Sequence, residues 1–256
     1  GGAGKSTIAV HLATALLHGG ASVSWSDLDR RQRSTAHFFK NRSAWTAANA
    51  VELPNVTEHE LADDPVALAE AAPEQQLERF EAAFDAASQA DFTIIDTPGG
   101  HTALSRAAHG RADLIVTPMN DSFVDFDMLG VVDPVSLDLV KPSLYALTVW
   151  EARKAKAATS GRSLDWVVLR NRLAPAEARN RKRVEDRLTA LSRRTGFVIG
   201  PGLRDRVIYR ELFPFGLTVA DLSPKVRPVA VSLSHLAARQ EMRALMHALG
   251  LADLSG

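Results

Sequence analysis

The run Gly-Gly-Ala-Gly-Lys-Ser-Thr, residues 1–7, constrains this chain more than any other stretch. Gly1, Gly2 and Gly4, with Ala3 among them, let the backbone turn tightly and bring its N–H groups against an oligophosphate. Lys5 then directs a fixed positive charge at the β and γ phosphates, and the Ser6 hydroxyl is a candidate Mg²⁺ ligand. Thr7 closes the run, and Gly1 to Thr7 are the expected nucleotide-binding residues. The apolar positions Ile8, Leu12, Ala15 and Leu16 follow at helical spacing. The loop therefore opens onto a helix N-terminus, whose partial positive charge adds to the anion site. The plainer alternative is a glycine-rich turn capping an ordinary helix. Gly-Lys-Ser directly ahead of a periodic helix argues against it.

A phosphate loop normally joins a strand to a helix, and this chain begins inside the motif. The expectation is that about ten residues precede Gly1, enough for one short buried strand. The 256 residues suit a single α/β domain over their whole length. Apolar content of 46% with 23% charged residues is the composition of a globular protein, so a disordered chain is excluded. No run reaches membrane-spanning length, and no signal peptide is visible. The chain has no cysteine, which excludes disulfides, thiolate zinc sites and Fe–S clusters and is compatible with a reducing cytoplasm.

The net charge is zero but unevenly spread. Between Glu52 and Asp91 eleven acidic residues face the single basic Arg79. Between Arg170 and Arg210 twelve basic residues face Glu177, Glu185, Asp186 and Asp205. The acidic stretch reads as a solvated helix surface. The basic one points to a polyanion.

Along the chain, His18-Gly19-Gly20 stops the first helix. A strand around Ser22 to Trp25 leads into Asp27-Leu28-Asp29. Acidic residues just past the C-terminal end of a parallel strand sit at the ligand crevice, so Asp29 is placed to orient the water that attacks a γ-phosphate. A loop with caps and ion pairs is the alternative. Arg30, Arg31 and Arg33 follow, as contacts for phosphate or a partner. Ser34 to Ala50 is helical or irregular, and residues 49–65 form surface connections. Leu77, Phe80, Phe84 and Ala87 mark a helix with an acidic outer face. The strand Asp91 to Asp96 then runs into Thr-Pro-Gly-Gly. That pattern fits the second acidic element of a nucleotide hydrolase: Asp96 is expected to bind Mg²⁺ through water, and the Gly99 N–H to sense the γ-phosphate. Further strands are expected at Asp113–Pro118, Leu144–Trp150 and Leu164–Leu169, with a helix within 123–132. Alternation of strands and helices predicts a mainly parallel twisted sheet with helices on both faces.

Pro175 suits the first turn of a long helix ending near Thr195. Val184, Leu188 and Leu191 face the core, and Arg183, Arg187 and Arg194 form an opposite row with Arg179 one turn earlier. A solvated basic face is the alternative; few acidic residues neutralise the row. The row suits nucleic-acid phosphates without base reading. A last strand covers Phe197–Ile199. The final helix, about 233–249, uses Leu236, Met242, Leu245 and Leu249 for packing and carries no membrane anchor.

These motifs, in this order, resemble the deviant Walker A ATPases of the P-loop ParA/MinD superfamily. Within it the chain is most similar to the MipZ family, through IAVHLATALLHGG, DLDRRQRS, SFVDFDMLG, WVVLRNRLAP and GFVIGPGLRDRVIYRELFPFGLT. The resemblance implies ATP and Mg²⁺ as cofactors and a homodimer that sandwiches two nucleotides. It also implies a signature lysine lying before Gly1. Lys5 matches the phosphate-binding lysine, Ser6 the Mg²⁺ ligand, Asp29 the hydrolytic aspartate and Asp96 the Walker B aspartate. Gly2 matches a dimer-interface position, and Asn171 the place of an adenine-contacting Asn. The partners implied are ParB, FtsZ and non-specific DNA, in a cytoplasmic, nucleoid-associated gradient that positions the division site. Ser24 and Ser26 depart from the apolar residues usual in that strand, which is expected to weaken packing rather than chemistry. Rival readings are a ParA-type segregation ATPase, a metabolic ATP-dependent carboxylate ligase and a non-hydrolysing scaffold. Intact Asp29 and Asp96 oppose the last. A GTPase is disfavoured, since no Asn-Lys-x-Asp motif occurs.

Overall fold

The computed structural model describes residues 2–29, 32–58, 72–120, 123–133, 135–136, 138–173, 178–226, 228, 230 and 232–251. The chain forms two compact units. One comprises Lys5–Ser105 with Arg206–Gly256, and the other Gly1–Gly4 with Arg106–Asp205.

In the Lys5–Ser105 unit, helix α1 (Lys5–His18) follows the loop, and the chain turns at Gly20 in the left-handed region. Strand β1 (Val23–Asp27) is the middle of a three-stranded parallel sheet between β2 (Thr57–Glu58) and β3 (Phe92–Asp96). The register sets Asp27 opposite Asp96. The two carboxylates thus meet at the C-terminal edge of the sheet, where parallel sheets place their ligands. Helix α2 (Ser34–Asn49) settles the helical-or-irregular alternative, and α3 (Pro73–Ala87) buries Phe80 and Ala87 on its predicted face. Residues 59–71, within the predicted surface connection and the acidic stretch, lie outside the described residues.

The core of this unit gathers Ile8, Leu16, Trp25, Phe38, Phe39, Phe80, Leu217 and Leu245. Inside it sits a fully buried charge. Arg42 donates two hydrogen bonds to Asp221, at 2.7 and 2.9 Å, and others to the carbonyls of Pro54 and Gly216. Gly216 has φ 64°, and a Cβ there would overlap the Arg42 backbone, so only glycine fits. Ser24 and Ser26 are buried in β1, and among the described residues the Ser26 hydroxyl has no hydrogen-bond partner, a desolvation cost rather than the packing defect expected from the sequence. After α4 (Ala103–Arg111), where the chain passes between units, this unit resumes with α7 (Ile208–Glu211) and α8 (Leu233–Ala248). On α8 the stripe is His235, Ala238, Met242, Leu245 and Met246. Leu236, expected to pack, is half exposed because it lies a third of a turn off that stripe.

In the other unit, β4 (Leu114–Asn120), β7 (Asp165–Asn171) and β8 (Val198–Ile199) form a second parallel three-stranded sheet, with β7 in the middle. A 3₁₀ turn occupies Phe123–Met128. An antiparallel hairpin follows, β5 (Gly130–Val132) and β6 (Leu139–Pro142), which the sequence analysis missed. The predicted strand at Leu144–Trp150 is instead the start of helix α5 (Leu144–Ser160). Leu-Tyr-Ala-Leu-Thr-Val-Trp is apolar at nearly every position, so periodicity could not separate helix from strand. The Ser143 hydroxyl decides it, accepting from the Ala146 N–H at 2.9 Å as an N-cap. Ala146, Val149 and Ala152 then turn inward, while Leu144, Leu147 and Trp150 stay exposed.

Helix α6 (Ala178–Thr195) buries Val184, Leu188 and Leu191 as its periodicity predicts, against Phe126, Leu129, Trp166 and Phe197. Pro175, taken for its first turn, lies outside the described residues. The Trp166 indole donates to the Thr117 hydroxyl at 3.0 Å, which shares a 2.6 Å bond with Tyr145. Both predicted parallel strands of this unit's centre, β4 and β7, are therefore in place, with helices supplying the apolar cover.

Candidate nucleotide site

In the first-described unit the site is built on the ends of β1 and β3 and the start of α1. Lys5 and Ser6 open α1. The Ser6 hydroxyl hydrogen-bonds Asp96, which is 3% exposed at the end of β3 and also accepts from the Thr35 hydroxyl at 2.8 Å. Burial raises the Asp96 carboxyl; bonds from Ser6 and Thr35 and the charge of Lys5 pull it back only in part, and Asp29 adds to the rise. Gly99 lies beside Lys5, where an added Cβ would stand 3.6 Å from Nζ. Lys5, Ser6, Asp96 and Gly99, separated by some ninety positions in sequence, are thus brought together.

Asp27 does work that the sequence analysis did not assign. Its carboxylate accepts from the Asp29 N–H at 2.9 Å and from the Thr35 N–H at 3.2 Å. It therefore caps the first turn of α2 and pins the turn that carries Asp29. Burial pushes Asp27 up to about 6, helped by the charge of Asp96, against the backbone N–H groups of Asp29, Ala36 and Thr35. Asp29 itself is half-buried and accepts from the Gln32 N–H at 3.3 Å. Arg30 and Arg31 lie outside the described residues. The Asp-x-Asp spacing after a strand was the available signal for Asp27; nothing local marked Thr35 as a partner of Asp96.

Among the described residues no three His, Cys, Asp or Glu side chains converge as a protein-only metal cage. The donors present, the Ser6 hydroxyl and the buried Asp96 carboxylate, are hard oxygens. They fit Mg²⁺, which takes one or two protein oxygens and completes its shell with phosphate and water. A cation there would also favour the charged form of the Asp96 carboxyl, against the rise that burial causes.

Behind the site, His11 is 3% exposed and donates from Nδ1 to the Thr7 carbonyl at 2.7 Å. Burial lowers its imidazole to about 4, overriding that bond and the charge of Asp221.

In the other unit, Gly2 and Gly4 adopt φ 95° and 92°. The Asn171 side chain, at the C-terminal end of β7, donates to the Ala3 carbonyl at 2.7 Å. A Cβ on Gly4 would overlap that same amide. Asn171 is therefore a brace for the glycine turn. Gly1 lies outside the described residues.

Of the predicted basic row, Arg183 is exposed on α6. Arg194 is exposed too and pairs with Asp138 at 3.4 Å. Arg187 is half-buried, its guanidinium 5.9 Å from the Phe126 ring centre, and so stands at the flank of the buried stripe. The Arg179 side chain lies outside the described residues. Among the described residues no helix is long and apolar enough to cross a membrane.

The fold is that of solved P-loop ATPases. McdA from Cyanothece is 18% identical with a TM-score of 0.62, covering 98% of this chain and 96% of that one, and an ATP complex of McdA aligns at 0.60. The septum site-determining protein MinD of Pyrococcus horikoshii, solved with Mg-ADP, is 17% identical with a TM-score of 0.58, covering 100% and 95%. A plasmid partition protein of Borrelia burgdorferi bound to AMPPNP is 12% identical with a TM-score of 0.57, covering 96% and 95%. No curated protein sequence matches the chain. Residues 1–253 match the model of the family described as ATPase MipZ, and on that match, across nearly the whole chain, the protein belongs to the MipZ family of ATPases.

Proposed function

We propose that this chain is an ATP-hydrolysing dimerisation switch that positions the division site by binding DNA without sequence preference, engaging ParB and restraining FtsZ assembly. The observation that carries this reading is the cluster at the ends of β1 and β3. There Lys5, Ser6 and Thr35 converge on Asp96, and Asp27 holds the turn of Asp29. Gly2, Ala3, Gly4, Lys5, Ser6 and Thr7 enclose the phosphates of ATP. Ser6 and Asp96 hold Mg²⁺, which when bound neutralises charge on the phosphate oxygens. Asp29, half-buried and tethered by its own N–H, orients the attacking water. Gly99, beside Lys5, reads the presence of the γ-phosphate. Asn171 holds the glycine turn and stands ready for the adenine. Contacts to the γ-phosphate exist only before hydrolysis, so cleavage removes the free energy that favours the dimer. Arg183, Arg194 and Arg179 supply the DNA-facing charge, with Arg187 at its edge.

The test is the mass of full-length protein by light scattering with ADP, with ATP, and with ATP in an Asp29→Ala variant, followed by random-sequence DNA. A persistent ATP dimer of the variant that binds DNA with steep salt dependence supports the switch. A monomer in every nucleotide state overturns it.

A further inference from the structure

Asn171 and Arg172 are consecutive residues at the C-terminal end of β7, and both reach the glycine turn. The Asn171 amide bonds the Ala3 carbonyl and fills the place of a Cβ on Gly4. The Arg172 guanidinium stands by Gly2, where an added Cβ would lie 3.9 Å from its Nη1. A regular strand could not bring both there, because successive side chains leave opposite faces. Arg172 breaks the alternation by adopting φ 55°, in the left-handed region. The other described non-glycine residues with positive φ, Arg33 and Ala50, cap the ends of α2. Arg172 follows a strand, so no helix cap accounts for it.

A left-handed arginine is strained and persists only where its surroundings hold it. Here the backbone is fixed on both sides. The Leu203 N–H donates to the Arg170 carbonyl at 2.8 Å, and the Leu173 N–H to the Leu203 carbonyl at 2.9 Å. The Asp205 N–H adds a bond of 3.3 Å to the Leu173 carbonyl. The Arg172 side chain gains nothing inside the chain in return. It is exposed, and among the described residues no hydrogen bond or ion pair engages its guanidinium. The fold thus bends a strand end to bring an unpaired cation with five donors to a turn whose motif binds oligophosphate.

We propose that Arg172 binds the phosphate chain of the nucleotide, as a second cation in addition to the one the motif supplies in Lys5. Its planar fork presents paired N–H donors that match two oxygens of a phosphate. The inference rests on the reading of residues 2–7 as the phosphate site. Stacking on the adenine would leave the donors beside Gly2 unused. A contact to the phosphates of DNA would need no left-handed backbone, since any exposed arginine serves for it.

The experiment measures the affinity of full-length protein for a fluorescent, non-hydrolysable ATP analogue with Mg²⁺, and for inorganic tripolyphosphate as its competitor. Parent, Arg172→Gln, Arg172→Lys and Lys5→Gln are compared. Arg172→Gln should weaken the analogue and tripolyphosphate alike by about tenfold, the loss of one charge-assisted contact. Arg172→Lys, which keeps the charge but not the fork, should recover part of that loss. The guanidinium denaturation midpoint of Arg172→Gln should match the parent's, because the side chain is exposed and unpaired; a midpoint that falls with the affinity makes the role structural and overturns the proposal. It is also overturned if Arg172→Gln binds the analogue as the parent does, if tripolyphosphate is unaffected while the analogue weakens, or if only binding to random-sequence DNA falls. Lys5→Gln tests the site itself. Loss in Lys5→Gln with none in Arg172→Gln refutes the arginine contact alone, whereas no loss in Lys5→Gln removes the phosphate site and this proposal with it.

Discussion

Replacing Arg42 by Met tests whether a buried charge network holds the C-terminal segment to the sheet unit. Arg42 and Asp221 are both 0% exposed at the side chain, and their two bonds measure 2.7 and 2.9 Å. Burial alone would raise the Asp221 carboxyl. Hydrogen bonds from His18 and Arg42, and the charge of Arg42, more than reverse this and hold it far below the ordinary range. In Arg42→Met, Asp221 keeps the bonds from His18 and the Thr218 N–H, both at 2.7 Å, but loses its charge partner. The Pro54 and Gly216 carbonyls lose their donors as well. Removing one member of such a pair costs about 3–5 kcal/mol, a large share of the ~5–15 kcal/mol that holds a domain folded. Guanidinium denaturation followed by circular dichroism reads the loss as a lower midpoint. Adding Asp221→Asn removes the stranded charge yet keeps an acceptor for Thr218. The double variant should therefore regain about 1–2 kcal/mol over the single. A single variant costing under about 1 kcal/mol, or a double no better than the single, would refute the argument.

Three further outcomes follow from the site. His11 titrates near 6.5 unfolded and about 4 folded, so below pH 6.5 the unfolded chain takes a proton that the folded one refuses. Stability from this group is complete above that pH and declines to about 3 kcal/mol less by pH 4; His11→Gln should flatten that decline in urea melts across pH, and parallel curves for both proteins would count against it. Thr35→Val keeps the shape but removes the 2.8 Å bond to Asp96. The Mg²⁺ concentration for half-maximal ATPase activity should rise about tenfold, and an unchanged value means that Thr35 does not support the metal ligand. Gly4→Ala puts a Cβ onto the Asn171 amide at φ 92°. It should abolish binding of a fluorescent ATP analogue while Asn171→Ala only weakens it, and equal binding by Gly4→Ala and the parent would refute the close approach.

Local chemistry was legible in the sequence where chemistry and sequence are adjacent. Lys5 and Ser6 follow their glycines, Asp96 ends an apolar strand before Thr-Pro-Gly-Gly, and α3 and α6 carry a 3.6-residue apolar period. β3, β4 and β7 stand within a residue or two of their predicted starts. Tertiary structure alone decided the rest. The helix at Leu144–Ser160 could not be read because its first turns are apolar on every side, and its inner face exists only once Val149 and Ala152 meet a core. Thr35 serves Asp96 across 61 positions and Arg42 serves Asp221 across 179, distances over which no periodicity carries information. Asn171 braces Ala3 across 168 positions. A sequence pattern states which face of an element is apolar and which residues can donate or accept. Which donor meets which acceptor depends on how distant elements are brought together by burying those faces, and that belongs to the folded molecule.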